Sequence, residues 1–155
     1  MRLVKDFMHK DITSVNENST LRQVIRVMKL HRLGAVPVVD QQGFYVGCIT
    51  AQDVLNAAVP DYIKSIYNTS FMANLDQITN HLKGMLNEKV TRFVDTQCVF
   101  LNPTDTMSYA ADVLYRKKRT ILPVVEGKNQ IGWITKIDII SMSLEEEKSI
   151  NEQLA

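Results

Sequence analysis

Two stretches of the chain carry one chemistry-bearing pattern, Gly-x-Ile-Thr-x-x-Asp: Gly47-Cys48-Ile49-Thr50-Ala51-Gln52-Asp53 and Gly132-Trp133-Ile134-Thr135-Lys136-Ile137-Asp138. In each, the threonine stands where a strand-like run turns helix-like, and the aspartate follows three residues later. Two chemistries fit that spacing. In the first, the hydroxyl accepts from the amide three residues on, and the carboxylate favours the positive helix end by about 0.3–1 kcal/mol. That is a variant capping box, purely structural. In the second, the free amides of the helix start receive an anion or phosphate, and the carboxylate accepts from two neighbouring hydroxyls, such as those of a ribose. Two copies of the pattern fit a pair of equivalent clefts.

The other reactive residues point to less. His9, His31 and His81 are scattered without ligand spacing, so no metal site is expected. Cys48 lies inside a strand-like run and Cys98 beside one. Both read as buried apolar thiols, and two cysteines make no disulfide framework. Trp133 reads as a core residue. There is no Gly-rich phosphate loop, H-E-x-x-H or G-x-S-x-G, and no unit holds paired carboxylates suited to acid–base work. Neither enzymatic activity nor a required cofactor is expected.

The elements that position the two motifs come from an internal repeat. Placing Val4-Lys5-Asp6-Phe7-Met8 over Val90-Thr91-Arg92-Phe93-Val94, a shift of 86, sets Thr20 on Thr106, Met28 on Leu114, and Pro37-Val38-Val39 on Pro123-Val124-Val125. The next turn is one residue shorter in the second copy. A shift of 85 then superposes the two glycine-to-aspartate motifs.

In the first copy Leu21, Val24, Ile25, Met28 and Leu30 make a helical stripe over 21–31, with Thr20 and Gln23 as its capping box. Strands follow at 35–39 and 45–50, joined by a hairpin turn at Asp40-Gln41-Gln42-Gly43. A short helix over 51–58 ends before Pro60. The second copy predicts a helix near 107–117, strands over 121–125 and 130–135, and a helix over 136–142. A further short strand is expected before each, at Ser14–Val15 and at Val99–Leu101.

Residues 1–59 thus form one unit and 89–143 a second. Between them, 60–88 is a helical insert with Leu75, Ile78, Leu82, Met85 and Leu86 on one face and a shorter helical piece at Tyr62, Ile63, Ile66 and Tyr67. Residues 144–155 form a polar tail. The fold class is α+β.

Composition narrows the partners. The 155 residues are 45% hydrophobic and 23% charged, the balance of a globular chain. With 18 Lys and Arg against 17 Asp and Glu, the net charge of +1 offers no footprint for nucleic acid and no polybasic membrane anchor. The longest uncharged run, Gln41 to Gln52, falls short of the ~20 residues that span a bilayer. The N-terminus lacks the apolar core of a signal peptide. A soluble, cytoplasmic protein is expected.

The order of helix, Ala35-Val36-Pro37-Val38-Val39-Asp40, turn, Gly47-to-Asp53 and helix resembles the cystathionine-β-synthase-type (CBS) domain. The second copy repeats it with Ile121-Leu122-Pro123-Val124-Val125-Glu126 and Gly132-to-Asp138. The resemblance covers nearly all the chain except 60–88 and the tail. It implies a CBS-domain pair, or Bateman module: two β-α-β-β-α units packed by pseudo-two-fold symmetry, with two clefts between them. Such clefts bind adenosine-containing ligands, namely AMP, ADP, ATP, S-adenosylmethionine or cyclic dinucleotides.

By the resemblance, Asp53 and Asp138 hold ribose hydroxyls, while Thr50 and Thr135 lie near ribose or phosphate. Backbone and apolar side chains at Ile12, Thr13, Cys98 and Val99, and at Ala35, Val36, Ile121 and Leu122, sandwich the adenine. Where some family members place a His or Arg shortly before the proline, this chain has Gly34-Ala35 and Thr120-Ile121. Phosphate is left to Lys136, Lys89, Arg92, Arg2, Lys5 or helix amides, which favours a nucleoside-like ligand or a monophosphate over a triphosphate. Lys136 follows Thr135, and Lys89 and Arg92 open the second unit, so the second cleft is expected to be the better phosphate site.

The expected role is a stand-alone sensor that binds such a ligand and signals to an effector protein. The alternative is a structural dimerisation module with empty clefts. A homodimer is expected through the helix faces bearing Val54, Leu55, Ile139 and Ile140.

Overall fold

A computed structural model of the chain describes residues 1–11, 13–59 and 75–144. Its elements in chain order are a one-turn helix α1 (Val4–Phe7), β1 (Val15–Asn16), α2 (Leu21–His31), β2 (Ala35–Val39), β3 (Tyr45–Thr50) and α3 (Ala51–Ala58). Then come α4 (Leu75–Met85), a 3-10 turn at Val90–Arg92, α5 (Met107–Arg116), β4 (Ile121–Glu126) and β5 (Asn129–Thr135). A last helix, α6, runs over 136–144. The fold is α+β, and the main helices and the two hairpins of the repeats fall within a residue or two of where the sequence pattern predicts them. The expected piece at Tyr62, Ile63, Ile66 and Tyr67 and most of the polar tail lie outside the described residues.

The local causes are readable. The Thr20 hydroxyl accepts from the Gln23 amide, and the Gln23 side chain accepts from the Thr20 amide, so both members of the box that opens α2 are present. Thr106 caps α5 in the same way through the Tyr109 amide, 3.1 Å. Both hairpins are antiparallel and carry a register shift at the same place, between Val38 and Val39 and between Val124 and Val125. β1 adds a parallel strand to the first hairpin through Val15 and Val38. The strand expected at Val99–Leu101 shrinks to a single parallel bridge, Leu101 to Val124.

The chain folds into two compact bodies, Thr13–Cys98 and Met1–Ile12 with Val99–Ala155. Their limits differ from those of the sequence copies, because each copy's opening segment is built into the other body. In the Thr13–Cys98 body, Thr20 bridges Lys89, and the Val90 amide donates to Ser19 O at 2.8 Å. In the other, Leu3 bridges Thr106, and the Val4 amide donates to Asp105 O at 2.8 Å. Leu3 and Lys89 are equivalent positions, as are Thr20 and Thr106, so one contact is made twice, reciprocally.

Each body has its own core. Leu21, Val24, Val36, Val38 and Ile49 pack with Met85, Val90 and Phe93 in the first. Val4 packs with Leu101, Leu114, Leu122, Val124 and Ile134 in the second. The stripe on α4 lies against the first core through Ile78, Leu82 and Met85, whereas Leu75 at its first turn is exposed. Leu30 is also exposed, since it lies off the face shared by Leu21, Val24 and Met28.

Candidate functional site

Thr50 ends β3 and caps α3, and Thr135 does the same between β5 and α6. At α3 the Thr50 hydroxyl accepts from the Asp53 amide at 3.0 Å, while Asp53 Oδ2 accepts from the Thr50 amide at 3.1 Å. At α6 the Thr135 hydroxyl accepts from the Asp138 amide at 3.2 Å. Asp138 Oδ2 accepts from the Thr135 amide at 2.7 Å and from the Thr135 hydroxyl at 2.9 Å. The capping reading of the motif is therefore correct in both copies, and it holds each carboxylate at the helix start without burying it.

The glycine of the motif has a separate cause. A Cβ at Gly47 would lie 2.6 Å from the Asp95 carbonyl oxygen, and one at Gly132 would lie closer still to the His9 carbonyl oxygen. Only a residue without a side chain lets those segments approach. Cys48 and Asp95 then exchange two backbone hydrogen bonds, 3.2 and 2.9 Å, and His9 and Trp133 exchange two of 2.9 Å.

From here the two sites diverge. Cys48 and Cys98 form a disulfide, against the expectation of separate buried thiols. The bridge at Asp95 brings its segment onto β3, and the Cys98 amide turns back to Asp95 O, leaving the two Cα atoms 6.0 Å apart. Nothing local in the sequence signals a pairing across 50 residues. In the other body His9 Nε2 donates to Asp138 Oδ1 at 2.7 Å. His9 was not singled out by spacing; the only signal was its place in the repeat, opposite Asp95.

Thr13, Ala35, Val36, Thr50, Asp53, Lys89 and Cys98 all belong to the Thr13–Cys98 body, and Val99, Ile121, Leu122, Thr135, Lys136 and Asp138 to the other. Ile12 lies outside the described residues. Ala35 is adjacent to Thr50, and Ile121 to Thr135, across the hairpins. Val36 and Leu122 are both fully buried core residues, because alternate strand residues face the helices, so of the expected backbone and side-chain lining they offer a ligand their backbone. The sulfur of Cys98 is likewise committed to Cys48.

The cations also sit differently from expectation. Lys89 and Arg92 lie on the body of Asp53, not that of Lys136, and Arg92 pairs with Glu88 while lying over the Phe93 ring. Lys136 lines a groove of about 600 Å³ with Ile139 and Ile140 of its own helix and Ala111, Leu114 and Tyr115 of α5. Residues 136, 139 and 140 share a helix face nearly opposite that of 138, so Lys136 and Asp138 face different ways. Trp133 is buried, as expected. Among the described residues no cluster of His, Cys, Asp and Glu could hold a metal, and no helix is long and apolar enough to cross a membrane.

Known proteins share this architecture. An uncharacterized protein of Methanocaldococcus jannaschii is 29% identical over 152 residues, which cover 89% of each chain. The chain spans only 31% of a longer relative from the same organism. CBSX2, a CBS-pair protein of Arabidopsis thaliana solved in complex with AMP, superposes with a TM-score of 0.70 at 17% identity, covering 95% of this chain and 99% of that one. The CBS-domain pair of protein MJ0100, solved with 5′-methylthioadenosine and S-adenosyl-L-methionine, gives a TM-score of 0.67 at 18% identity, covering 94% and 98%. At such identities these structures establish the fold. The sequence model of the CBS domain matches residues 4–60 and again 90–145, and with the doubled hairpin-and-cap architecture this makes the chain a member of the CBS-domain family, carrying the domain in tandem.

Proposed function

We propose that the chain is a regulatory CBS-pair protein that binds an adenosine-containing ligand through Asp53 and Asp138 and relays occupancy to an effector protein. The observation that carries the reading is at α3: Asp53 is fixed by its capping box through Oδ2, while among the described residues nothing donates to its Oδ1. A held carboxylate with acceptor capacity to spare suits a ribose diol. Relatives of the same fold, solved with AMP and with S-adenosylmethionine, support the ligand class. Thr13, Val99, Ala35 and Ile121, with the backbone at Val36, Leu122 and Cys98, would contact the adenine. Arg92 is paired with Glu88, and Lys136 faces away from Asp138, so a nucleoside or monophosphate is favoured over a triphosphate. The relay needs only unequal affinity of the ligand for two arrangements of the protein.

The experiment is calorimetry with AMP, ATP and S-adenosylmethionine on the wild type, Asp53→Ala and Asp138→Ala. Losing hydrogen bonds to a charged acceptor costs roughly 1.5–3 kcal/mol each, so loss of at least about tenfold in affinity is expected. The alternative, a structural module with empty clefts, draws on the same capping boxes, which already give both carboxylates a use. It predicts that each variant loses about 1 kcal/mol of stability and that no nucleotide binds at all.

A homodimer belongs to the same proposal. Val54 is buried in the core and cannot contribute, but Leu55, Ile140 and Tyr115 are exposed, the last two beside the groove at Lys136. Light scattering at micromolar concentration should give twice the chain mass, falling to one chain mass in Ile140→Glu.

A further inference from the structure

The acceptor capacity of the two motif carboxylates is unequal, and the Thr135 hydroxyl and His9 together are the cause. A carboxylate offers about four lone-pair sites, two on each oxygen. Among the described residues Asp53 spends one of them, on the Thr50 amide. Asp138 spends two on Oδ2, for the Thr135 amide and hydroxyl, and a third on Oδ1, for His9. A vicinal diol brings two donors. It finds room on Asp53 as that residue stands, and finds one site too few on Asp138 until the imidazole leaves.

The imidazole is able to leave. The His9 side chain is 58% exposed, against 14% for Asp138. Its backbone is held independently of the ring, by the paired hydrogen bonds to Trp133. The ring can therefore rotate off Asp138 without disturbing the segment. Among the described residues the other site has no equivalent: the position of His9 in the repeat is filled there by Asp95, whose Oδ1 accepts from the Gln97 amide of its own turn. An acidic side chain has no proton to give Asp53.

We infer that His9 is a specificity-determining residue that occupies Asp138 in place of a ligand's hydroxyl, so that a ribose-bearing ligand fills the Asp53 site first and the Asp138 site only by displacing the His9 ring. This rests on the ribose reading of Asp53 and Asp138 above, and it adds an order of filling. A ligand whose ribose lacks one hydroxyl brings a single donor and needs no displacement, so it discriminates less between the sites.

Calorimetric titration with AMP tests it on the full chain, with folding of each variant checked by circular dichroism. The wild type should show a tighter step removed by Asp53→Ala and a weaker step removed by Asp138→Ala. His9→Ala should strengthen the weaker step roughly tenfold, the weight of one hydrogen bond to a charged group, and leave the tighter step alone. His9→Gln keeps a donor of similar reach and should restore the wild-type gap. A second reading needs no mutation: in the wild type, the ring nitrogen resonances of His9 should shift as the weaker site fills and not before. The inference is overturned if Asp138→Ala removes the weaker step while His9→Ala leaves it unchanged and the His9 ring shows no response. If neither aspartate variant alters AMP binding, the ribose reading itself falls, and the inference with it.

Discussion

In the Thr13–Cys98 body the segment at Asp95 is tied to β3 by two backbone hydrogen bonds and then by the Cys48–Cys98 disulfide. In the other body the segment at His9 is tied to β5 by the same two backbone bonds, and the ring of His9 reaches on to Asp138. The backbone scheme is common to both and so is the glycine that permits it. The side chains placed on that scheme are not common: Cys48 is matched by Trp133 and Asp95 by His9. One body is fastened covalently and leaves its motif carboxylate open. The other is fastened by hydrogen bonds alone and closes a side chain over its carboxylate. Backbone proximity, once fixed, is a constraint that several side-chain chemistries can exploit, and the two copies have exploited it differently.

The contrast can be broken most forcefully at the disulfide. Replacing Cys48 and Cys98 together by alanine should lower unfolding stability by roughly 2–4 kcal/mol, the range for a crosslink closing a long loop. Denaturant unfolding with and without a dithiol reductant checks it, and the reductant should leave the alanine variant untouched. A loss of that size in only one body should also show, in the alanine variant, as earlier hydrogen exchange at Ile49 than at Ile134.

A smaller effect, alike in both bodies, is expected at the shared glycines. Gly47→Ala and Gly132→Ala each drive a methyl group into backbone that has little freedom to move. A loss of about 1–3 kcal/mol is expected for each, as for overpacking in a core. If one glycine tolerates alanine and the other does not, the backbone scheme is less symmetrical than the paired bonds indicate.

The smallest expected effect is at the caps. Thr50→Ala and Thr135→Ala should each cost about 1 kcal/mol, read from thermal unfolding, with serine recovering most of it. Because Thr135 also donates its hydroxyl to Asp138, Thr135→Ala frees an acceptor position there. It should raise the affinity of the Asp138 site for AMP while lowering stability, a divergence with no parallel at Thr50.

Much of this was legible in the sequence because its causes are local. The apolar spacing of α2, the box at Thr20 and Gln23, the hairpin turns and the Thr–Asp caps are settled within a few residues of one another. Which residues form the cores was less legible: Val54 sits on a face that only the packing decides. Least legible were the contacts across long separations. The bond from His9 to Asp138 and the disulfide from Cys48 to Cys98 join residues with no shared pattern. Both depend on the exchange of opening segments between bodies, which repeat arithmetic alone does not contain. The same exchange explains why Lys89 and Arg92 stand with Asp53 and not, as the order of the chain suggests, with Lys136.

That exchange also has a consequence for the order in which the protein is made. Every residue of the Thr13–Cys98 body is available once synthesis has passed residue 98, and domains generally fold as units in the order they emerge. Residues 1–11 are made before that body and are matched only after it. Val4, which has no exposed surface in the completed body, and the amides of Val4 and Lys5, which donate to Asp105 and Pro103, have no partner until the second half of the chain has appeared. That segment therefore waits while the whole Thr13–Cys98 body is made, and its docking beside α5 follows the appearance of the second half.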